Sequence, residues 1–292
     1  MGYGSYSAAD WSKLKSSRSL SSAKHESEVF KNTSCNPKFD PKFIGTRECF
    51  DSEDHPNTTP IVVGLDVTGS MGYLAVSIAK ESLNDLIMKL YSTGAVEDPA
   101  LMCAAYGDYL DNYPLQVTQF EADIRIAEQL LELYFENRGN GDVVPTCLWD
   151  FLSRHTNIDS INKRNKKGFV FTIGDGAEIR RDSVEKTIRN VVGDDIPDAT
   201  PESVLNEVQK KFHVFHIMVG ERGNEYILNG RKMTIAKSDI NCIPEIIIST
   251  IQMQNGTSLV EAVDQWDSIK RPVISAALSQ LQLTDTGKAI TL

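Results

Sequence analysis

The chain has 292 residues, 41% of them hydrophobic and 24% charged, with a formal net charge of −10. That length can bury a large core and carry additions to one domain, and no run of about 18 apolar residues predicts a membrane span. Residues 1–57 hold eight basic and eight acidic side chains, so the excess acid lies in 58–292, which argues against a body that wraps nucleic acid.

The first 57 residues read as an N-terminal extension. Ser is dense up to Ser27, large apolar residues are few, and one short helix is expected near Ala8–Leu14. The composition is that of a disordered tail. A tail that is ordered would pack on the body or on a neighbour, and in the second case would make a homo-oligomer. The N-terminus has no apolar signal-peptide core, and Tyr6 stands where a myristoylation signal needs Ser or Thr. Cys35, Cys49, Cys103, Cys147 and Cys242 are odd in number, widely spaced and without a C-x-x-C pair. A reducing compartment follows, with neither a disulfide frame nor a zinc site.

From Ile61 onward strands and helices alternate. Ile61–Leu65 is a short, β-branched, uncharged run, which predicts a buried strand. Met71, Leu74, Ala75, Ile78, Ala79, Leu86, Ile87 and Leu90 recur at helical spacing and predict a helix over 71–91. Strands are expected at Leu101–Tyr106 and Leu115–Phe120, then a helix over Ala122–Phe135 stopped by Gly139-Asn140-Gly141. A short helix over Cys147–His155 and a buried strand over Gly168–Ile173 follow. Asp182 with Glu185 reads as a capping box for a helix to Val192. Thr200-Pro201 reads as N-cap and N1 of a helix through Lys210. Phe212–Val219 and Lys232–Ala236 are the last strands, the second at an edge. Helices are expected at Ile243–Ile251, after Ser258 with Glu261, and over Pro272–Leu281.

Such alternation predicts an α/β fold, a Rossmann-like doubly wound, mainly parallel sheet with helices on both faces. Its divisions are the extension 1–57, the α/β body 58–255 and a C-terminal helical extension 256–292. Ligands of such sheets bind at the carboxyl ends of the strands, where Asp66, Asp108 and Asp175 all fall. Asp66, Thr68 and Ser70 alternate on the turn from the first strand into its helix, so their oxygens can converge on one point. Oxygen-only ligands suit a hard cation such as Mg²⁺. Asp, Ser and Thr are also ordinary helix caps, and the motif alone is weak. Asp175 after the fourth strand makes the joint pattern specific.

Asp66-Val67-Thr68-Gly69-Ser70, the loop Gly139–Thr146 and Thr172-Ile173-Gly174-Asp175-Gly176 together resemble the von Willebrand factor A (vWA) domain and its metal-ion-dependent adhesion site, over roughly residues 45–250. The family motif Asp-x-Ser/Thr-x-Ser matches Asp66, Thr68 and Ser70, and its final Asp matches Asp175. Gly141-Asp142 and Pro145-Thr146 resemble the Gly-Gly-Gly-Asp-x-Pro-Glu loop of intracellular vWA proteins, with one extra residue before the Pro and Thr for Glu. The loop ligand is Asp142 or Thr146, with Asp142 preferred. Ala105-Tyr106-Gly107-Asp108-Tyr109 is similar to the Tyr-x-Asp segment of those members, with Asp108 a candidate to orient a ligand or its water. Arg47-Glu48-Cys49-Phe50-Asp51-Ser52 resembles the lead-in of bacterial and phage vWA proteins, which implies the cytoplasm of a bacterial or phage-infected cell.

The resemblance implies a site for Mg²⁺ or Mn²⁺ whose open position is filled by an Asp or Glu of a protein partner. It implies an adaptor or scaffold rather than an enzyme, with an AAA+ ATPase as one partner class, and neither nucleic acid nor membrane as ligand. Two other readings compete. Asp66-Val67-Thr68-Gly69-Ser70 and Gly174-Asp175-Gly176-Ala177-Glu178 also resemble motifs of haloacid-dehalogenase-type phosphatases, with Asp66 as nucleophile and Asp175 on Mg²⁺. The Asn-Asp pair of that family is missing, and Thr68 stands where its second Asp belongs. The third reading is a structural or assembly protein of a phage or bacterial complex. His213 and His216 are three apart on a strand and face opposite ways, so they should not share a metal. Trp149 and Phe151 read as core, and Lys163–Lys167 as a solvated turn.

Overall fold

The computed structural model describes residues 4–21, 25–136, 142–178, 184–220, 228 and 230–283. In chain order the N-terminal segment carries helices α1 (Ala8–Ser17) and α2 (Glu26–Val29) and strand β1 (Arg47–Cys49). There follow β2 (Thr59–Asp66), α3 (Gly72–Ser77), α4 (Leu83–Thr93), β3 (Pro99–Tyr106), β4 (Leu115–Val117), α5 (Arg125–Leu130), β5 (Asp142–Val143), α6 (Pro145–Arg154), β6 (Thr156–Ile158) and α7 (Asp159–Arg164). The second half holds β7 (Gly168–Gly174), β8 (Ala177–Glu178), α8 (Val184–Val191), α9 (Pro201–Val208), β9 (Phe212–Val219), β10 (Lys232–Ile235), α10 (Ile243–Gln254), α11 (Leu259–Asp264) and α12 (Arg271–Leu278).

The main sheet runs β10-β9-β7-β2-β3-β4. Every neighbouring pair is parallel except β3 with β4. Counted along the chain this is the doubly wound order 3-2-1-4-5-6, with its switch point between β2 and β7. The expected Rossmann-like fold is present, with an antiparallel edge strand added.

The central strands are apolar because both faces are covered. From Pro60 to Asp66 every residue of β2 is buried, as is all of β3 and β7. Alternation then assigns side chains to two cores. Ile61, Val63 and Leu65 join Phe171, Ile173, Phe215 and Ile217 under α3, α4 and α10. Val62, Met102, Val170 and Val214 meet Leu148, Trp149 and Phe151 of α6, with α8 and α9 completing that layer. His216 is buried inside the sheet and shares a 2.9 Å hydrogen bond with Thr172 Oγ1, while the His213 ring lies tilted beside Phe169, centroids 5.4 Å apart. The two histidines are separated, as their spacing predicts.

The N-terminal segment packs on its own body. Tyr6, Trp11, Leu14, Leu20, Phe30 and Phe39 lie in the same core as β2 and α4. Tyr6 donates to Asn84 Oδ1 (3.2 Å), and Phe30 stacks on Phe135 with ring centroids 4.0 Å apart. Both edges of the sheet are occupied. Val117 N–H on β4 donates to the Phe39 carbonyl (2.9 Å), and Arg47 donates to the Val117 carbonyl (2.9 Å). At the other edge, Gln280 accepts from Thr234 N–H (2.9 Å) and donates to its carbonyl (3.1 Å).

Several boundaries differ from the sequence-based expectation. The helix over 71–91 is built in pieces: a 3-10 turn over Gly69–Met71, α3, a π-helical turn over Ile78–Ser82, and α4, which Gly94 (φ +59°) terminates. The helix over Ala122–Phe135 is only Arg125–Leu130. Asp123 caps Arg125 N–H at one end (3.0 Å), and at the other Gln116 claims both backbone groups of Tyr134. The strand Leu115–Phe120 stops at Val117 because Thr118 Oγ1 takes the Cys103 N–H, with pairing resumed only as a bridge at Glu121. Thr200 and Ser258 cap their helices as expected. Gly139-Asn140-Gly141 and Asp182 lie outside the described residues. Lys163 and Arg164 are not a simple solvated turn: they close α7 and pair with Asp51 and Asp159.

One buried carboxylate gives the fold a pH response. Asp150 on α6 is 1% exposed and pairs with Arg154 at 3.1 Å. Burial first, then the neighbouring Asp194 carboxylate, holds Asp150 well above the usual range, with Arg154 opposing. A carboxyl raised in the folded state keeps its proton where the unfolded chain has lost it, so stability falls as pH rises between about 4 and 7. Urea denaturation at pH 5 and pH 8 is expected to show this loss, on the order of 2 kcal/mol, and Asp150→Asn to remove most of it. Equal slopes in the two proteins would contradict the assignment.

Candidate metal centre

The switch point between β2 and β7 delivers two carboxylates to one edge of the sheet. Leu65 is in register with Ile173, so Asp66 ends β2 beside Gly174, and Asp175 follows one residue later. Asp66 is fully buried, Asp175 is 3% exposed and Thr68 is 4% exposed. Ser70 is exposed and marks the open side.

The local bonds divide into two pairs. Thr68 donates to Asp66 Oδ1 through its N–H (2.9 Å) and its hydroxyl (2.6 Å). Ser70 donates its hydroxyl to Asp175 Oδ1 (2.8 Å). Asp66 Oδ2 is buried and has no hydrogen-bond partner. Burial pushes the Asp66 carboxyl up to about 6; the Thr68 bonds lower it and the charge of Asp175 raises it. A buried carboxylate oxygen without a partner is costly, because the lost hydration is not replaced.

Gly174 is required by this closeness. A Cβ there would lie 2.6 Å from Asp66 Cβ, 2.7 Å from Asp66 Oδ2 and 3.0 Å from the Tyr106 hydroxyl. Asp66 Oδ2 and the Tyr106 hydroxyl therefore converge on one point of β7.

The loops around this pair bring in the remaining predicted residues. β5 pairs with β8, setting Asp142 beside Ala177, two residues after Asp175. Val143 also bridges Asp108, and Val144 N–H donates to the Gly107 carbonyl (3.1 Å). The backbone of Asp142 is thus at the site, while its side chain lies outside the described residues. Thr146 is buried in the first turn of α6. Asp108 is buried and its Oδ1 accepts the Leu110 N–H (2.9 Å), so at least that oxygen orders its own turn.

Sequence reasoning missed Lys237. Its ammonium lies 3.4 Å from Asp175 Oδ2 and 5.6 Å from the Tyr73 ring centroid. No sequence signal links Lys237 to Asp175, because they are 62 positions apart, with β8, β9 and β10 between them.

The donors suit a hard divalent cation: two carboxylates and two hydroxyls, all oxygen, with one carboxylate oxygen unpartnered. Among the described residues no group of three or more His, Cys, Asp and Glu side chains has metal-binding geometry. Also among those residues, no helix is long and apolar enough to cross a membrane.

No family model and no curated protein sequence matches the chain. Among solved structures it is similar to von Willebrand factor type A from Catenulispora acidiphila, at 13% identity over 67% of this chain and 42% of that one, TM-score 0.41. It is similar to proximal thread matrix protein 1 from the mussel byssus, at 12% identity over 71% and 50%, TM-score 0.45. It is also similar to the pilus adhesin SpaC from Lactobacillus rhamnosus GG, at 9% identity over 71% and 31%, TM-score 0.47. The chain spans a half or less of the length of these three structures. The likeness is one of fold alone.

Proposed function

We propose that this edge holds a divalent cation, Mg²⁺ or Mn²⁺, and through it binds an Asp or Glu carboxylate of a protein partner. The observation that supports this most is Asp66: a fully buried carboxylate at the switch point whose Oδ2 has no hydrogen-bond partner. Asp66, Thr68, Ser70 and Asp175 are the proposed ligands, with Asp142 or Thr146 from the adjoining loop.

A bound cation would supply a positive centre with a position open to an incoming carboxylate. The residues of the chain do the rest. Thr68 fixes the Asp66 carboxylate by two hydrogen bonds, and Ser70 fixes Asp175. The β2–β7 pairing sets the distance between them. Burial on the sheet side strengthens the electrostatic contact and excludes competing water. Tyr73, Tyr109 and Leu110 are exposed at the same edge and offer apolar contact around the carboxylate. An AAA+ ATPase remains one class of partner to test.

Calorimetric titration with Mg²⁺ and Mn²⁺ tests the reading, on wild type and on Asp66→Ala, with phosphate release from a phosphoester followed alongside. Binding that is lost in Asp66→Ala without phosphatase activity is the expected result. Metal affinity retained in the variant would refute the site. Turnover that vanishes with Asp66 would replace it with phosphoryl transfer.

A further inference from the structure

Lys237 occupies the open side of the two-carboxylate cluster. β10 runs parallel to β9 and ends at the same sheet edge, so the chain leaving it passes over the site. Lys237 opens the 3-10 turn Lys237–Cys242 that follows. Its stem has a bed. At Gly220, which closes β9 with φ +90°, a Cβ would lie 3.3 Å from Lys237 Cε and 3.7 Å from Cγ. The ammonium is then held between Asp175 Oδ2 (3.4 Å) and the face of Tyr73 (5.6 Å).

With Ser70 on Oδ1 and Lys237 on Oδ2, both oxygens of Asp175 are engaged by the chain itself. Among the described residues Asp66 has no such counter-cation: Thr68 donates twice to its Oδ1, and beyond that only the Gly176 backbone N–H favours its charge, with no cation near its Oδ2. The two carboxylates therefore differ. One is neutralised by a flexible, half-exposed lysine, and the other waits for a charge.

We propose that Lys237 is a tethered competitor for the metal: its ammonium holds Asp175 in the metal-free protein and must leave that oxygen when a divalent cation binds. The proposal rests on the metal-site reading above. Two features suit the exchange. A lysine ammonium is a strongly hydrated point charge on a long stem, so release to water is easy. Its side chain is already 53% exposed, so no core opens when it moves. Lys237 thereby sets metal affinity, and once displaced it adds a positive charge to the surface that meets the partner's carboxylate.

The test is Mn²⁺ titration of the full chain as wild type, Lys237→Met and Lys237→Arg. Met keeps the stem on Gly220 and removes the charge. Roughly two- to fivefold tighter Mn²⁺ binding is expected for Lys237→Met, the range for losing one partly exposed ion-pair competitor, and little change for Lys237→Arg. Equal or weaker binding by Lys237→Met, with wild type still binding, would overturn the proposal and leave the metal site standing. Failure of all three proteins to bind Mn²⁺ would overturn the metal site itself. Binding by Lys237→Met alone would support both. A second measurement needs no metal: thermal unfolding in chelator of Lys237→Met, Asp175→Asn and the double variant. The two substitutions should be non-additive, with Asp175→Asn relieving the cost of Lys237→Met. Additive effects would show that Lys237 does not neutralise Asp175.

Discussion

Replacing Gly174 by alanine is expected to destabilise the protein by about 3 kcal/mol and to abolish metal binding together. The new methyl would sit 2.6 Å from Asp66 Cβ, a distance at which something must shift. Neither partner can yield cheaply. Asp66 Cβ is fixed to the backbone of β2, and β2 is held between β3 and β7 by ladders on both sides. The second contact, 2.7 Å to Asp66 Oδ2, strikes an oxygen of the proposed ligand set. Tyr106, 3.0 Å away, blocks relaxation from the far side. Gly45 is the control, because a Cβ there meets nothing within 4 Å; Gly45→Ala should stay within about 0.5 kcal/mol of wild type. Urea midpoints and a Mn²⁺ titration of both variants check the prediction. A Gly174→Ala protein with the wild-type midpoint would mean that the strands are not as close as described.

Asp66→Asn is expected to act in opposite directions on stability and on binding. In chelator the variant should be more stable by about 2 kcal/mol at pH 7, because a carboxyl pushed up to about 6 carries its charge at a cost. Both Thr68 hydrogen bonds survive the change, since the amide oxygen can accept them in place of Oδ1. For a chain of this size the gain corresponds to roughly 3 °C in the unfolding midpoint. Mn²⁺ affinity should meanwhile fall by about a hundredfold or more, through loss of the anionic Asp66 Oδ2 at this edge. Stability set aside for a site is the signature of function rather than of packing. Calorimetric unfolding in chelator decides it: a lower midpoint for Asp66→Asn would show that the buried charge is already compensated.

What the sequence made legible was local. The apolar run Ile61–Leu65, the alternating Asp66, Thr68 and Ser70, and Asp175 after Gly168–Ile173 each lie within a few residues, where period and composition carry information. The β–α alternation then implied a parallel sheet and its ligand-bearing edge. The N-terminal segment was opaque because its anchors come singly. Trp11 and Leu14 share one face of α1, but Tyr6, Leu20, Phe30 and Phe39 lie outside the helices α1 and α2, so no sustained 3.6 or 2.0 period marks the segment as core. β1 and β6 are three residues each and pair only with each other, too short for any pattern. The truncation of the Ala122–Phe135 helix depends on Gln116, a side chain on another element. Gly174 and Lys237 matter through neighbours brought close only by the fold.

The occupied sheet edges bear on whether other strands can add to the sheet. An exposed parallel edge is a template for strand addition by another chain. Here one edge is closed by Phe39 and Arg47 from the N-terminal segment and the other by Gln280 beyond α12. Each cap comes from a segment outside the α/β body, one before β2 and one after α10. A body trimmed to residues 58–255 would therefore keep its cores' strands and its carboxylates yet expose two adhesive borders, and would be prone to polymerise sheet to sheet. The terminal segments thus cover both borders of the sheet with hydrogen bonds made within the chain itself.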